Sequence, residues 1–219
     1  MLYLIGAGPG DPELISVKAL RALERCNTLA GWRGVVERLI KAYPQLTAKR
    51  ILYLTYQNQE GILAEIGELS AKEDVCVVAH GDPAVSDWEF VERIKRNARK
   101  VEVINGVSSL NVALVRLGLD LAHVVFLSQH ASNPQDIFAA APCLRDRALV
   151  VFPRPTRDGP TEVARALTSM GLARCKAWVL QDLTTDREEI WSGTVGDLAR
   201  EKRDFSQLSI VVADCREAP

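Results

Sequence analysis

Short runs of aliphatic and β-branched residues alternate with helix-patterned segments along this chain, and several runs end in glycine. The clearest is Val75–Ala79, a fully apolar run followed shortly by Gly81. Apolar runs of this length, bounded by glycine, are typical of strands buried on both faces. Because strands alternate with helices, the pattern predicts an α/β fold, in which ligands bind at the carboxyl ends of parallel strands.

The 219 residues suffice for one or two domains. A predicted helix over residues 108–117 stops at Gly118, which favours a domain boundary there. We therefore expect two α/β domains, residues 1–117 and 118–219, with an inter-domain cleft as a candidate ligand site. The later strands have little helix between them, which predicts a mixed second sheet. The predicted strands cover residues 2–5, 51–54, 75–79, 101–104, 124–127, 148–152, 177–180, 189–191 and 208–213.

Composition excludes several classes of protein. Lys and Arg total 27 against 28 Asp and Glu, so the net charge of −1 excludes nucleic-acid binding through overall positive charge. No apolar run approaches the roughly 18 residues of a membrane span, and the N-terminus lacks the pattern of a signal peptide. Five scattered cysteines without a C-x-x-C motif predict neither a disulfide framework nor a metal site. We expect a cytoplasmic protein with no membrane or nucleic-acid partner.

The first glycine loop, residues 6–11, reads Gly-Ala-Gly-Pro-Gly-Asp between a strand and a helix. It resembles the dinucleotide fingerprint G-x-G-x-x-G, but Asp11 replaces the third glycine, which argues against a nicotinamide or flavin site. Asp11 and Pro12 are good helix-starting residues. The predicted first helix carries an apolar stripe with a spacing of three residues: Leu14, Val17, Leu20 and Leu23.

Two further glycine loops follow predicted strands in the same way. Residues 80–85 follow the strand at 75–79, and residues 105–109 follow the strand at 101–104. Since the carboxyl ends of parallel strands share one edge of a sheet, we expect the three loops to line one pocket.

These three motifs, in this order, resemble the S-adenosylmethionine-dependent tetrapyrrole methyltransferases of corrin biosynthesis. Residues 128–130 (Ser-Gln-His) and 205–212 are most similar to the branch that methylates carbon 5 of precorrins. The resemblance implies a two-domain fold, S-adenosyl-L-methionine as methyl donor, and cobalt-precorrin-7 or a related precorrin as substrate. It also implies a homodimer and functional pairing with a C15-methylating decarboxylase.

The resemblance also assigns the site. Pro9 would close one edge of the cofactor pocket, Leu183 would hold the adenine, and His130 would act as general base or substrate hydrogen-bonding group. An ordinary histidine at the end of a strand is an equally good interpretation of His130. The remaining cofactor residues would bind the methionine and ribose portions: Gly81, Asp82, Ala84, Val85, Ser108 and Ser109.

The chain departs from that branch at two places. Residues 84–87 read Ala-Val-Ser-Asp where Gly-Phe-Tyr-Ser is common, and Ala131-Ser132 stands where Gly-Arg is common. These departures concern substrate contacts more than the cofactor site. Arg154 and Arg157 are candidates for the carboxylates of a corrin precursor, since guanidinium groups pair well with carboxylates.

Two alternatives stay open at this stage. The same fold could methylate a protein side chain or ribosomal RNA, although the lack of a basic excess argues against RNA. A non-catalytic tetrapyrrole-binding protein is the third interpretation.

Overall fold

A computed structural model describes residues 1–130, 136–144 and 146–216. The chain divides into two compact units, Met1–Ser109 and Leu110–Pro219. The division falls at the start of the helix whose end suggested the boundary from the sequence. Each unit contains one five-stranded sheet flanked by helices, so the α/β prediction is confirmed.

The sheet of the first unit is parallel throughout, in the order β3-β2-β4-β1-β5. The sequence predicted four of its strands and missed β2. The elements are β1 (Leu2–Gly6), α1 (Val17–Arg25), β2 (Thr28–Trp32), α2 (Arg33–Ala42), β3 (Arg50–Leu54), α3 (Gln59–Ser70), β4 (Val75–Ala79), α4 (Trp88–Asn97) and β5 (Val101–Ile104), with 3-10 turns at Pro12–Leu14 and Pro44–Ala48.

The central strands β1 and β4 are buried on both faces, which explains their uninterrupted apolar sequences. Ile5 and Val78 belong to the hydrophobic cluster on one face of the sheet. Leu4 and Val77 belong to the cluster on the other face. The register pairs Gly6 with Ala79, so β1 and β4 end side by side.

The predicted first helix is wrong in its start and in its buried face. Asp11 caps only a 3-10 turn, accepting a hydrogen bond from the Glu13 backbone N–H at 2.8 Å. Helix α1 starts after Ser16, whose hydroxyl accepts from the Ala19 backbone N–H at 3.1 Å. Val17, a member of the predicted stripe, is 63% exposed. A spacing of three drifts around a helix of 3.6 residues per turn, so the stripe does not stay on one face.

The sheet of the second unit is mixed, as predicted. Its order is β6-β7-β10-β8-β9; β6 and β7 are parallel and the other pairs antiparallel. The elements are α5 (Ser109–Leu117), which begins at the division, then β6 (Val124–Ser128), β7 (Ala148–Phe152), α6 (Gly159–Ser169), β8 (Lys176–Gln181), β9 (Glu189–Thr194), α7 (Val195–Arg200) and β10 (Ser209–Asp214), with 3-10 turns at Leu121–His123 and Ile137–Cys143.

Each unit contains a disulfide, which corrects the expectation of none. Cys26 at the end of α1 bonds to Cys76 in β4, and Cys175 before β8 bonds to Cys215 after β10. The partners are 50 and 40 residues apart in sequence, and the fold alone brings them together. Scattered spacing therefore carried no information about pairing.

Among the described residues, no helix has the length and apolar character needed to cross a bilayer.

Candidate functional site

The three glycine loops of the first unit meet at the carboxyl edge of its sheet, where β4, β1 and β5 are neighbours. Gly8 donates its backbone N–H to the Gly81 carbonyl at 3.2 Å, and Gly81 donates to the Gly8 carbonyl at 2.9 Å. Both glycines have positive φ, +83° and +55°, which other residues rarely adopt. These two bonds join the loop after β1 to the loop after β4.

The third loop is joined to the other two by close backbone packing. A Cβ on Gly106 would lie 2.3 Å from the Gly81 carbonyl oxygen and 2.6 Å from that of Gly6. Side chains are therefore excluded at this point. The three loops come together at one edge of the sheet, and that they line one pocket stays a prediction.

Asp82 is held by two neighbours. Its Oδ1 accepts from the Ala84 backbone N–H at 2.8 Å, and the amide of Asn105 donates to both carboxylate oxygens at 3.3 Å. The first contact is an Asx turn ahead of a tight bend, and the second links the β4 loop to the β5 loop. Asp82 therefore shapes the loop, while Asn105 fixes the direction of its carboxylate.

The start of α5 lies beside Gly81. A Cβ on Gly81 would come within 3.8 Å of the Ser108 Cα and 3.9 Å of the Ser109 backbone nitrogen. Ser108 is buried and Ser109 half-buried. A helix N-terminus offers free N–H donors and a positive dipole end, which suit an anionic group such as a carboxylate.

The other first-unit candidates lie within these loops and differ in exposure. Pro9 and Val85 are half-buried, and Ala84 is exposed. A shallow cleft against the first loop is lined by Ala7, Gly8, Gly10, Pro12, Val35, Arg38 and Leu39.

Strained backbone marks the loop that carries Asp82. Ser86 has a φ of +68°, a left-handed conformation that costs a residue with a Cβ of order 1 kcal/mol or more. The next residue, Asp87, is partly buried just before α4, and burial raises the pKa of its carboxyl to about 7, with Arg93 acting in the opposite direction. Such strain and such a shifted acid are typical of ligand-binding loops.

Leu183 lies in the second unit, in a loop that also contains left-handed residues other than glycine. It is buried, and both neighbours have left-handed φ values, +45° at Asp182 and +64° at Thr184. Glu188 holds the loop by accepting from the Thr184 backbone N–H at 2.6 Å and from Arg116 at 2.8 Å. Among the described residues, all left-handed residues other than glycine are in these two candidate loops.

His130 follows β6 in the second unit. Its ring centroid lies 5.4 Å from that of Phe152, and its backbone N–H donates to Ser128 Oγ at 3.3 Å. Although the residue is exposed overall, desolvation of the ring lowers the imidazole pKa, and a hydrogen bond involving the Pro153 backbone opposes that shift. A neutral imidazole can accept a proton or a hydrogen bond near pH 7.

The two arginines proposed for substrate carboxylates differ in their surroundings. Arg157 pairs with Asp204 at 2.9 Å on the surface, so its charge already has a partner. Arg154 is exposed. Ala131 and Ser132 lie outside the described residues.

Comparison with known proteins shows which family this chain belongs to. Residues 1–199 match the sequence model of the Tetrapyrrole (Corrin/Porphyrin) Methylases. The chain belongs to the tetrapyrrole methylases. The methylase is 24% identical over 219 residues to a probable cobalt-precorrin-7 C(5)-methyltransferase of Methanocaldococcus jannaschii, and the match covers 97% of each chain.

Solved structures agree with the fold of this methylase. Precorrin-6Y methylase from Archaeoglobus fulgidus superposes with a TM-score of 0.70 at 22% identity, covering 98% of this chain and 97% of that one. Uroporphyrin-III C-methyltransferase from Thermus thermophilus, crystallised with S-adenosylhomocysteine, gives 0.76 at 24% identity, covering 99% and 93%. The predicted fold class is confirmed.

Sequence reasoning on this methylase missed two residues of the candidate site. Asn105 is the first residue of the third glycine loop, but nothing in the nearby sequence indicated that its amide would hold Asp82. In the sequence, Asp87 differed from the common Gly-Phe-Tyr-Ser pattern but gave no sign of a role. Its partial burial is a property of the folded loop.

Proposed function

We propose that this methylase transfers a methyl group from S-adenosylmethionine to C5 of cobalt-precorrin-7 or a related precorrin. The observation that carries the proposal is the match with the probable cobalt-precorrin-7 C(5)-methyltransferase of Methanocaldococcus jannaschii, which covers 97% of both chains. The match spans both units, so it includes the second-unit residues that would contact substrate as well as the glycine loops.

The first-unit residues fit S-adenosylmethionine. Residues 81–85 follow β4 at the carboxyl edge of the sheet, where the polar methionine and ribose portions would bind. The start of α5 at Ser109 has the right charge for the methionine carboxylate. Asp82, oriented by Asn105, has the chemistry to accept a hydrogen bond from a ribose hydroxyl or the amino group. The bound cofactor supplies a methyl group already activated on a sulfonium sulfur.

This chemistry asks the protein chiefly for alignment. An electron-rich ring carbon attacks the sulfonium methyl without an enzyme nucleophile, and fixed geometry can supply several kcal/mol of the rate enhancement. Backbone hydrogen bonds between Gly8 and Gly81, rather than flexible side chains, hold the loops, which suits that requirement. We assign Pro9 to the edge of the pocket and Leu183 to the adenine.

We assign His130 to the substrate, as proton acceptor or hydrogen-bonding group. Desolvation lowers the pKa of its imidazole and so favours the neutral form, which can accept a proton or a hydrogen bond. His130→Ala should therefore lower the methylation rate by at least about tenfold and leave the affinity for S-adenosylhomocysteine unchanged. Unchanged turnover at saturating substrate would remove His130 from the mechanism.

The setting of the reaction follows from the same proposal. We infer a homodimer that works alongside a C15-methylating decarboxylase. The expected cytoplasmic setting loses one of its grounds, because the two disulfides are typical of an oxidising compartment. Arg154 and Arg157 are both candidates for substrate carboxylates, because the ion pair of Arg157 with Asp204 joins two exposed side chains and such pairs are weak.

The decisive experiment supplies methyl-labelled S-adenosylmethionine together with cobalt-precorrin-7, cobalt-precorrin-4 or uroporphyrinogen III in separate reactions. Mass spectrometry and NMR then count and locate the methyl groups. We expect one labelled methyl at C5 with cobalt-precorrin-7 and little transfer to the other two. Transfer at another carbon would retain the family but refute the C5 assignment. Binding of tetrapyrrole without transfer would support the non-catalytic alternative, and transfer only to protein or RNA would support the other.

A further inference from the structure

An aromatic pair lies at the carboxyl edge of the first sheet, beside the glycine loops. Trp32 is the last residue of β2, and Tyr56 lies two residues beyond the end of β3. Their ring centroids are 5.0 Å apart and their planes are tilted by 48°. Nothing in the cofactor assignment above uses either ring.

The two rings differ in burial in a way that suits a binding surface. Trp32 is partly buried and packs against the hydrophobic clusters on both faces of the sheet, so it is firmly anchored. Tyr56 is 79% exposed. An exposed aromatic ring packed on an anchored one extends the apolar surface from the core outwards.

The turn that carries Tyr56 is built to hold it there. Thr55 and Asn58 exchange hydrogen bonds: the Thr55 backbone N–H donates to Asn58 Oδ1 at 2.7 Å, and the Asn58 backbone N–H donates to Thr55 Oγ1 at 3.1 Å. The Asn58 amide also donates to the Tyr53 carbonyl at 3.0 Å. A turn fixed in this way lowers the entropy lost when the tyrosine binds a ligand.

A positive group lies next to the pair. The Arg33 guanidinium stacks over the Tyr53 ring at 4.2 Å and also pairs with Glu37 at 2.9 Å. Its side chain is 66% exposed and therefore accessible to a ligand. A stacked guanidinium is well suited to a carboxylate next to an aromatic surface.

The location connects this surface to the candidate cofactor site. Strand β2 is the neighbour of β4, and β4 carries the Asp82 loop. Neighbouring strands are about 4.8 Å apart, so the ends of β2 and β3 lie within about 10 Å of the end of β4. A flat ring system larger than a nucleoside, with its reacting carbon near the cofactor, can reach across that distance.

We propose that Trp32 and Tyr56 form a stacking surface for the conjugated macrocycle of the substrate, with Arg33 binding one of its peripheral carboxylates. This inference rests on the proposed function and adds the residues that recognise the ring system. The occupant is a planar, conjugated, carboxylate-bearing tetrapyrrole, because the surface combines aromatic rings with a guanidinium at the ligand edge of the sheet.

The test compares Tyr56→Ala with Tyr56→Phe in the full chain. Quenching of tryptophan fluorescence by uroporphyrin III, an air-stable conjugated tetrapyrrole, gives the affinity, and calorimetry with S-adenosylhomocysteine is run in parallel. We expect Tyr56→Ala to weaken tetrapyrrole binding at least about fivefold, as loss of a stacking ring does elsewhere. Tyr56→Phe should bind like the parent, and cofactor affinity should stay constant in both. Phe138→Ala, at an exposed aromatic in the second unit, is the matched control.

The outcomes separate this inference from the proposed function. If the parent binds S-adenosylhomocysteine but neither binds nor methylates any tetrapyrrole, the proposed function fails and the stacking surface fails with it. If the parent binds uroporphyrin III and Tyr56→Ala binds it equally well, only the stacking surface is overturned. A Tyr56→Ala variant that loses self-association but keeps tetrapyrrole affinity would identify an interface between copies instead, and would also overturn it.

Discussion

Gly8 and Gly81 exchange two backbone hydrogen bonds across the ends of neighbouring strands, although 73 positions separate them in sequence. Both have positive φ, and Gly106 packs against Gly81 so closely that no side chain fits between them. The proposed cofactor site therefore rests on backbone contacts whose geometry depends on glycine.

Replacing Gly106 tests that dependence. A Cβ there would collide with two carbonyl oxygens, so Gly106→Ala should lower the free energy of unfolding by about 1–3 kcal/mol and weaken S-adenosylhomocysteine binding. Gly34→Ala is the control, because its Cβ meets nothing within 4 Å and alanine favours the helix by roughly 0.5–1 kcal/mol. Urea denaturation gives the free energy of unfolding of both variants, and calorimetry gives their affinity for S-adenosylhomocysteine. Equal stability of the two variants would contradict the packing argument.

Two substitutions at Asp82 distinguish its role in the turn from its proposed contact with the ligand. Asp82→Ala removes both and should weaken S-adenosylhomocysteine binding by about ten- to a hundredfold, the loss of one charge-assisted hydrogen bond. Asp82→Asn keeps an oxygen for the Ala84 N–H and should still lose at least about tenfold. Calorimetry would show Asp82 to be only a turn residue if Asp82→Asn bound like the parent.

The strands with uninterrupted apolar sequences were the easiest to predict. Strands β1 and β4 are covered on both faces, so their apolar runs were unambiguous. Strand β2 was missed because Thr28 and Gly31 interrupt its apolar sequence. Gly31 is there for a tertiary reason, since a Cβ would lie 2.6 Å from Val78 Cγ2. Missing β2 also hid Trp32, and with it the aromatic pair.

The location of the candidate site could be predicted from the sequence, but its side-chain contacts could not. Glycines after strands indicated where the ligand edge would be, because that relation is local in sequence. The hold of Asn105 on Asp82 and the partial burial of Asp87 depend on loops that meet only in the folded chain.

Asp87 should make stability depend on pH. Burial raises the pKa of its carboxyl to about 7 in the folded state, while Arg93, which also binds Gln59 and Glu60, opposes the shift. The folded state then holds this proton more tightly than the unfolded state, so stability is full below about pH 4 and is lost as pH rises towards 7. At about 1.4 kcal/mol per pH unit, the loss is on the order of 2–4 kcal/mol.

Denaturation of Asp87→Asn from pH 4 to pH 8 checks this. The free energy of unfolding of the variant should match that of the parent near pH 4 and exceed it increasingly as pH rises. Glu92→Gln, which removes one negative charge from the exposed side of the same helix, controls for net charge. Parallel curves for the parent and Asp87→Asn would contradict the shift.

The two disulfides should contribute measurably to stability. Each closes a long loop, of 50 and 40 residues, and loops of that size are stabilised by about 2–4 kcal/mol through restriction of the unfolded chain. Cys175→Ala should therefore lower the free energy of unfolding by this amount in the absence of reductant, and by much less when the parent is also reduced. Finding all five thiols free in unreduced, denatured protein would restore the original expectation.

The central claim is that the joined glycine loops form the S-adenosylmethionine site, and a crystal structure of the S-adenosylhomocysteine complex tests it most directly. The account predicts density for the ligand in contact with residues 81–85 and with Ser108 or Ser109, with one of its hydroxyl or amino groups within hydrogen-bond distance of the Asp82 carboxylate. Density for the ligand farther than a side-chain length from both loops would contradict it.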